Sequence, residues 1–320
     1  MKHFLAIFLI SCLSLGLSGC SKGGDEPTPE PAPAPAPAPA PTPDPDPDPV
    51  PGITPVEIKI NPSVASDSRA TDFGFESGDC IGLYVVNRSG STPGALADNG
   101  NHVTNMRFTY NGTWIPDTPI YWADDETHAD FYLYFPYVSN VISVKTHPFT
   151  VLPDQSTDAA YKASDLMVGK TVDVAPTESA ISINVTHAMS RMIIQLEAGN
   201  GFTAESLASA EIAVKINGIR CSSTLDIASG SVTAVGDPST VTPLPVDNYY
   251  KALIVPQTVP ESDLITINVD GKDYNLTKGF TFEAGKSHKF NVVLSKTSSG
   301  VNVSIDPWDD DDTDNGGTAE

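Results

Sequence analysis

The sequence predicts an all-β protein, two tandem β-sandwiches behind a leader and a proline-rich stalk. Three observations carry that prediction. Apolar residues recur at every second position, as in Val56-Glu57-Ile58-Lys59-Ile60 and Ile181-Ser182-Ile183-Asn184-Val185, which is the period of a half-buried strand. Tight-turn pairs interrupt such runs at Asn111-Gly112, Asn217-Gly218 and Asp270-Gly271, residues that adopt hairpin turns without strain. Helical character is confined to residues 204–210.

The chain opens Met1-Lys2-His3 and is apolar from Phe4 to Leu17. A basic start and a short apolar run describe a secretory signal, and the run is too short to anchor in a bilayer. Leu17-Ser18-Gly19-Cys20 resembles a bacterial lipobox, making residues 1–19 the signal peptide and Cys20 the lipidated first residue of the exported chain. A plain signal with an incidental cysteine is the alternative; the following Ser21-Lys22-Gly23-Gly24 weighs against it. Residues 20–55 form a linker in which proline alternates with alanine, threonine or aspartate. Such a chain favours polyproline II and, if straight, reaches on the order of 110 Å at about 3.1 Å per residue.

The body begins with the strand Val56 to Ile60, followed by a small, polar loop from Asn61 to Asp72. Arg69 lies in that loop, the first arginine of the chain, and is an open handle for a trypsin-like protease. Cys80 to Val86 is a continuous apolar run of strand length. Met106 to Tyr110 and Thr113 to Ile115 flank the first turn, and Ile120 to Trp122 and Asp130 to Tyr137 add two aromatic strands. Phe131, Leu133 and Phe135 share one face of the latter, Tyr132 and Tyr134 the other. Aromatic strand faces pack cores more often than they stack sugars.

A looser region, 143–175, precedes the strands Ile181 to His187 and Met192 to Leu196. His187 falls in phase with the apolar set and reads as a hydrogen-bonded core histidine. Further strands are expected at 212–216, 219–221, 249–255, 264–269, 272–274, 280–282, 290–294 and 301–305. The expected division is an N-terminal sandwich at 56–183, a C-terminal sandwich at 184–308 and a disordered acidic tail at 309–320.

A net charge of −22 argues against nucleic acid or an anionic membrane as partner. Once Cys12 is removed and Cys20 acylated, Cys80 and Cys221 remain, too few for a disulfide framework. The sequence leaves their pairing open, and because they fall in different expected domains two buried thiols is the favoured reading. No nucleophile elbow, phosphate loop, zinc spacing or dinucleotide fingerprint occurs, so neither an enzyme nor a cofactor is implied. The run Asp309-Asp310-Asp311-Asp312-Thr313-Asp314-Asn315-Gly316 misses the glycine and glutamate positions of a calcium loop. No metal site is expected.

The order Phe75-Glu76-Ser77-Gly78-Asp79-Cys80-Ile81-Gly82, Tyr110-Asn111-Gly112-Thr113-Trp114, Ile120-Tyr121-Trp122, Asp165-Leu166-Met167-Val168-Gly169, His187-Ala188-Met189-Ser190-Arg191 and Val255-Pro256-Gln257 resembles the fimbrillin family of Bacteroidetes lipoproteins. The resemblance runs from about Val56 to Trp308. It implies two transthyretin-like sandwiches, export as a lipoprotein to the outer membrane, and assembly into a pilus of the fifth type. It implies too that an arginine-specific protease cuts between Arg69 and Ala70, releasing the strand of Val56, Ile58 and Ile60. The groove left behind would take a strand of another subunit, for which Val301, Val303 and Ile305, followed by Trp308, are the candidate donors. The competing reading is a tip adhesin or surface lipoprotein that binds a glycan or host protein through Trp114, Tyr121 and Trp122.

Overall fold

In the computed structural model, residues 55–64 and 74–296 are described in full, and 306–307 and 317–319 as backbone. Cys20, the stalk, Arg69, Ala70, Val301, Val303, Ile305 and Trp308 lie outside the described residues.

The chain is all-β. In the N-terminal part the strands are β1 (Ile60–Val64), β2 (Cys80–Asn87), β3 (Val103–Tyr110), β4 (Trp114–Pro116), β5 (Ala129–Phe135), β6 (His147–Thr150), β7 (Met167–Val174) and β8 (Ile181–His187), with a one-turn helix α1 (Asp158–Ala163) after β6. All but β6 form one sheet in the order β1-β8-β7-β5-β2-β3-β4. Every residue of β5 is buried, because the strand has a core on each side. Phe131, Leu133 and Phe135 face a core shared with Ile81, Leu83 and Val85 of β2. Tyr132 and Tyr134 belong to a second core with Tyr84, Val86 and the C-terminal strands. The core reading of this aromatic strand therefore holds. Gly82 has a steric reason: a Cβ there would collide with the Tyr134 ring, whose hydroxyl donates to Asn105 Oδ1 at 2.9 Å.

The second half holds β9 (Ser190–Ala198), α2 (Ala204–Ser209), β10 (Ile212–Asp226), β11 (Ser231–Val241), β12 (Leu244–Val246), β13 (Tyr249–Ile254), β14 (Gln257–Val269), β15 (Lys272–Phe282) and β16 (Lys286–Leu294). They form two sheets, β11-β10-β14-β15 and β12-β13-β9-β16, which share the core of Val214, Ile216, Ile265, Ile267, Ile194 and Phe290. Asp306–Pro307 pairs antiparallel with the start of β16, and Gly317–Ala319, within the stretch expected as an acidic tail, pairs parallel with its end. β8 runs unbroken through residues 183 and 184 in the N-terminal sheet, and β9 opens the C-terminal one two residues after it.

The turn pairs divide. Asp270 (φ 50°) and Gly271 (φ 84°) make the left-handed hairpin between β14 and β15, and Asn111-Gly112 turns β3 into β4. Asn217-Gly218 does not turn the chain. β10 passes straight through it with a bulge between Ile216 and Ile219, because Asn217 Nδ2 is held at 2.9 Å by both Asp263 O and Thr266 Oγ1 of β14.

The looser region is a strap. From β5 the chain crosses to the C-terminal domain and adds β6 to β10, Leu225 pairing with His147 and Ser222 with Thr150. Gln155 then mimics a strand residue: its Nε2 donates to Leu253 O and its Oε1 accepts from Leu253 N, both at 2.8 Å. Tyr161 of α1 is fully buried under the Lys251 ammonium, 4.7 Å from its ring centre, before the chain returns as β7.

One buried histidine sets a pH dependence. His288 on β16 is fully buried, edge-on to Phe280 at 5.0 Å, and accepts from Glu283 N–H at 3.2 Å. Burial, with Lys286 nearby, pushes its pKa down to about 4. The folded state refuses a proton that the unfolded chain accepts below its ordinary value of about 6.5. The resulting stability is fully present above that value and is lost as pH falls through about 4, on the order of 2 to 3 kcal/mol in all. Other acids titrate in the same window, so the readout is a difference: unfolding midpoints between pH 7 and 4 should fall less steeply for His288→Leu than for the natural chain. Equal slopes would refute the assignment.

Candidate functional site

The first strand closes the N-terminal sheet. Upstream of β1, Ile58 N–H donates to Ile120 O at 2.8 Å and Trp122 N–H to Val56 O at 3.0 Å, around an antiparallel bridge between Glu57 and Tyr121. One residue on, the chain changes partner. Ile181 N–H donates to Lys59 O at 2.8 Å, and β1 runs parallel to β8, Ile60 opposite Ile181 and Val64 opposite Val185. Residues 56–64 therefore link β8, in the sheet, to the segment 120–122 that follows β4.

Ile58 and Ile60 are 1% and 5% exposed and Pro62 is also buried. The isoleucines sit among Trp122, Phe131, Ile181 and Ile183. Each contributes about 1.5 to 3 kcal/mol by burial. The expected strand, Val56 to Ile60, is thus correct in its inward residues and short at its end. Asn61 to Val64 belong to β1, not to the loop. The alternation of Ile58, Ile60, Pro62 and Val64 carried that signal, masked by a proline, which a strand with one open side tolerates because no ladder bond needs its missing N–H. The contribution of Ile120 to Trp122 as the second holder had no signal in the sequence.

Past the undescribed segment, Phe75 plugs back into the body, 4.8 Å from Trp114 at 84° and 5.9 Å from Phe135. Lys162 Nζ of the strap meets Glu76 Oε2 at 2.8 Å and Asp79 Oδ1 at 3.2 Å. The chain on the downstream side of residues 65–73 is therefore tied to both the sheet and α1.

The aromatic residues offered as a ligand surface separate. Trp114 and Trp122 are 9% and 5% exposed and lie in the N-terminal core, so their faces cannot stack a sugar in this fold. Trp114 is packed by Phe75 and Tyr110, at ring-centre distances of 4.8 and 5.1 Å, and Trp122 by Phe131 at 5.7 Å. Tyr121 alone is exposed, at 45%.

The four arginines beyond Arg69 are all engaged. Arg88 pairs with Asp130 at 2.7 Å; Arg191 is 2% exposed and donates to Ser287 Oγ; Arg107 pairs with Asp117 at 3.0 Å under Tyr137; Arg220 donates to Gly236 O. His187 Nδ1 lies 2.9 Å from Asp165 Oδ1, an aspartate distant in sequence. Cys80 and Cys221 are free thiols, half-buried and buried. Burial raises the pKa of Cys221. Among the described residues no cluster of ligands could hold a metal ion.

Comparison with known proteins places these features. The family model described as fimbrillin-like matches residues 68–308, a span that begins after β1. A protein of Bacteroides uniformis described as a candidate fimbrium subunit, Fim1C, is 24% identical over 79% of this chain and 85% of its own length. A candidate fimbrium tip subunit of Bacteroides ovatus is 26% identical over 61% of this chain, which spans 36% of that longer protein. The crystal structure of a candidate cell adhesion protein from Bacteroides uniformis superposes with a TM-score of 0.61 at 18% identity, covering 79% of this chain and 98% of that one. That likeness concerns the fold.

Proposed function

This chain belongs to the fimbrillin-like family, a family of fimbrial subunits rather than enzymes, and from that premise we propose that it is exported as a lipoprotein on Cys20 and assembles by strand exchange after cleavage between Arg69 and Ala70. The observation that carries the proposal is the seat of the first strand. Residues 56–64 supply two buried isoleucines and hydrogen bonds to β8 and to residues 120–122. Their departure would leave the edge of β8 and the carbonyl of Ile120 unpaired beside an apolar groove, the surface that a strand from another subunit completes. Val301, Val303 and Ile305, with Trp308, have the alternation such a donor needs. The engagement of Arg88, Arg107, Arg191 and Arg220 supports selectivity for Arg69, since a protease must draw an extended, unpaired segment into its cleft.

Digestion of the folded protein with an arginine-specific protease tests this. A single cut is expected, giving a new N-terminus at Ala70 and conversion of monomer to oligomer, read by N-terminal sequencing and light scattering. Cuts at the other arginines, or a clipped product that stays monomeric at high concentration, would overturn the reading.

A tip position is the second reading, supported by the relative described as a tip subunit. In that case the clipped chain accepts a donor strand but does not extend the fibre, and Tyr121 is the one member of the aromatic set with an exposed face for a glycan or host protein.

A further inference from the structure

We propose that the start of β10 is a docking edge for one extended strand of another protein. β10 is covered along most of its length, by β14 at Ile212 to Ile216, by β6 at Ser222 to Leu225, and by β11 from Ile216 to Asp226. On the side away from β14, however, no described strand pairs with Ile212 to Lys215. The reason is a diversion. The natural continuation of β11 would be Thr242, but its N–H donates to Pro153 O at 2.8 Å and its carbonyl accepts from Gln155 N–H at 2.9 Å. The strap takes the strand that would have covered β10, and Pro243 turns the chain away with no N–H to offer.

A groove of about 260 Å³ results, lined by Ile212, Lys215, Pro243, Pro245, Tyr250 and Ser156. Along an unpaired edge, alternate backbone groups point outward, and four residues give about 13 Å of edge. That length suits a short segment added by β-augmentation, in which backbone bonds give affinity and the flanking side chains give choice. Tyr250 and Pro243 suit one apolar side chain. Lys215, exposed and the only charged residue lining the groove, suits one carboxylate.

The remainder of the partner strand is neutral, because Lys215 repels a basic residue at the groove and a chain of net charge −22 repels a polyanion. The described C-terminal pieces of the chain are engaged elsewhere, on β16 of the other sheet. The occupant is therefore an extended, mostly neutral segment with a single acidic residue, supplied by a different protein.

An acetylated and amidated TVEVT peptide, titrated into the full chain and followed by backbone amide NMR, tests the proposal. Saturable shifts centred on residues 212–215 are expected, with slowed amide exchange there. Lys215→Glu should weaken binding at least fivefold without altering the unfolding midpoint, and N-methylation of alternate peptide amides should abolish it. No saturation at millimolar peptide, shifts centred elsewhere, equal binding of the N-methylated peptide, or self-association of the chain through this edge would each overturn it.

Discussion

Replacing Asp130 with alanine is expected to destabilise the protein by about 1 to 3 kcal/mol, because the Asp173 N–H loses the carboxylate that accepts from it. Asp130 is 1% exposed and the Arg88 side chain 8%. One carboxylate oxygen, Oδ1, accepts from Arg88 Nη1 at 2.7 Å and from the Asp173 N–H at 2.8 Å. Asp173 holds a left-handed backbone, φ 58°, so the second bond pins a strained residue at the end of β7. Arg88 Nη2 also donates to Ser91 O at 2.7 Å, while its Nε lies 3.2 Å from Asp173 Oδ1, close enough to attract though not aligned as a hydrogen bond. Alanine at 130 removes the only deeply buried anion of this knot. Urea unfolding measures the loss. Addition of Arg88→Met to Asp130→Ala should recover part of it, because the stranded cation is then gone. A loss below about 1 kcal/mol for the single variant would show that water reaches Arg88 freely.

Trp122→Ala should cost more, about 3 to 5 kcal/mol, and should also loosen the first strand. The Trp122 ring packs edge-on to Phe131 at 5.7 Å and its Nε1 donates to Thr177 O at 3.3 Å. Its backbone N–H holds Val56 O. The ring removed is thus part of the wall against which Ile58 is seated. Faster hydrogen exchange at the Ile58 amide, relative to amides of β5, is the expected signature. Tyr121→Ala is the control: its side chain is exposed, and stability should change by less than about 0.5 kcal/mol. If instead Trp122→Ala left stability intact and removed a binding activity, the surface-ligand reading of that residue would be restored.

The β character and most strands were legible because the strand period survives in the sequence wherever one face meets water, as at Ile181, Ile183 and Val185. β5 was legible through its aromatic alternation although both faces are buried. β7 was not: Met167 to Val174 includes Gly169, Lys170 and Asp173, and its inward positions alternate only at the start. Asn217-Gly218 misled for a physical reason. The pair tolerates positive φ in a hairpin and in a bulge alike, and which one forms is decided by Asp263 and Thr266, more than forty residues away. Of the candidate site, the inward residues Ile58 and Ile60 were readable. The two holders of the strand, β8 and Ile120 to Trp122, are matters of topology. His187 read as a bonded core histidine, but its partner Asp165 could not be named from spacing.

The strap has a mechanical consequence. A fibre subunit carries tension from one end to the other, and two sheet assemblies joined by a single peptide link would swing and part under load. Here the chain crosses between them three times: out from β5 to β6, back from α1 to β7, and on from β8 to β9. Pulling the N-terminal sheet from the C-terminal ones must tear β6 from β10 and strip Gln155 from Leu253 in the same movement. The subunit should respond as one stiff body, giving a single rupture in a pulling experiment, whereas Gln155→Ala should split that event into two.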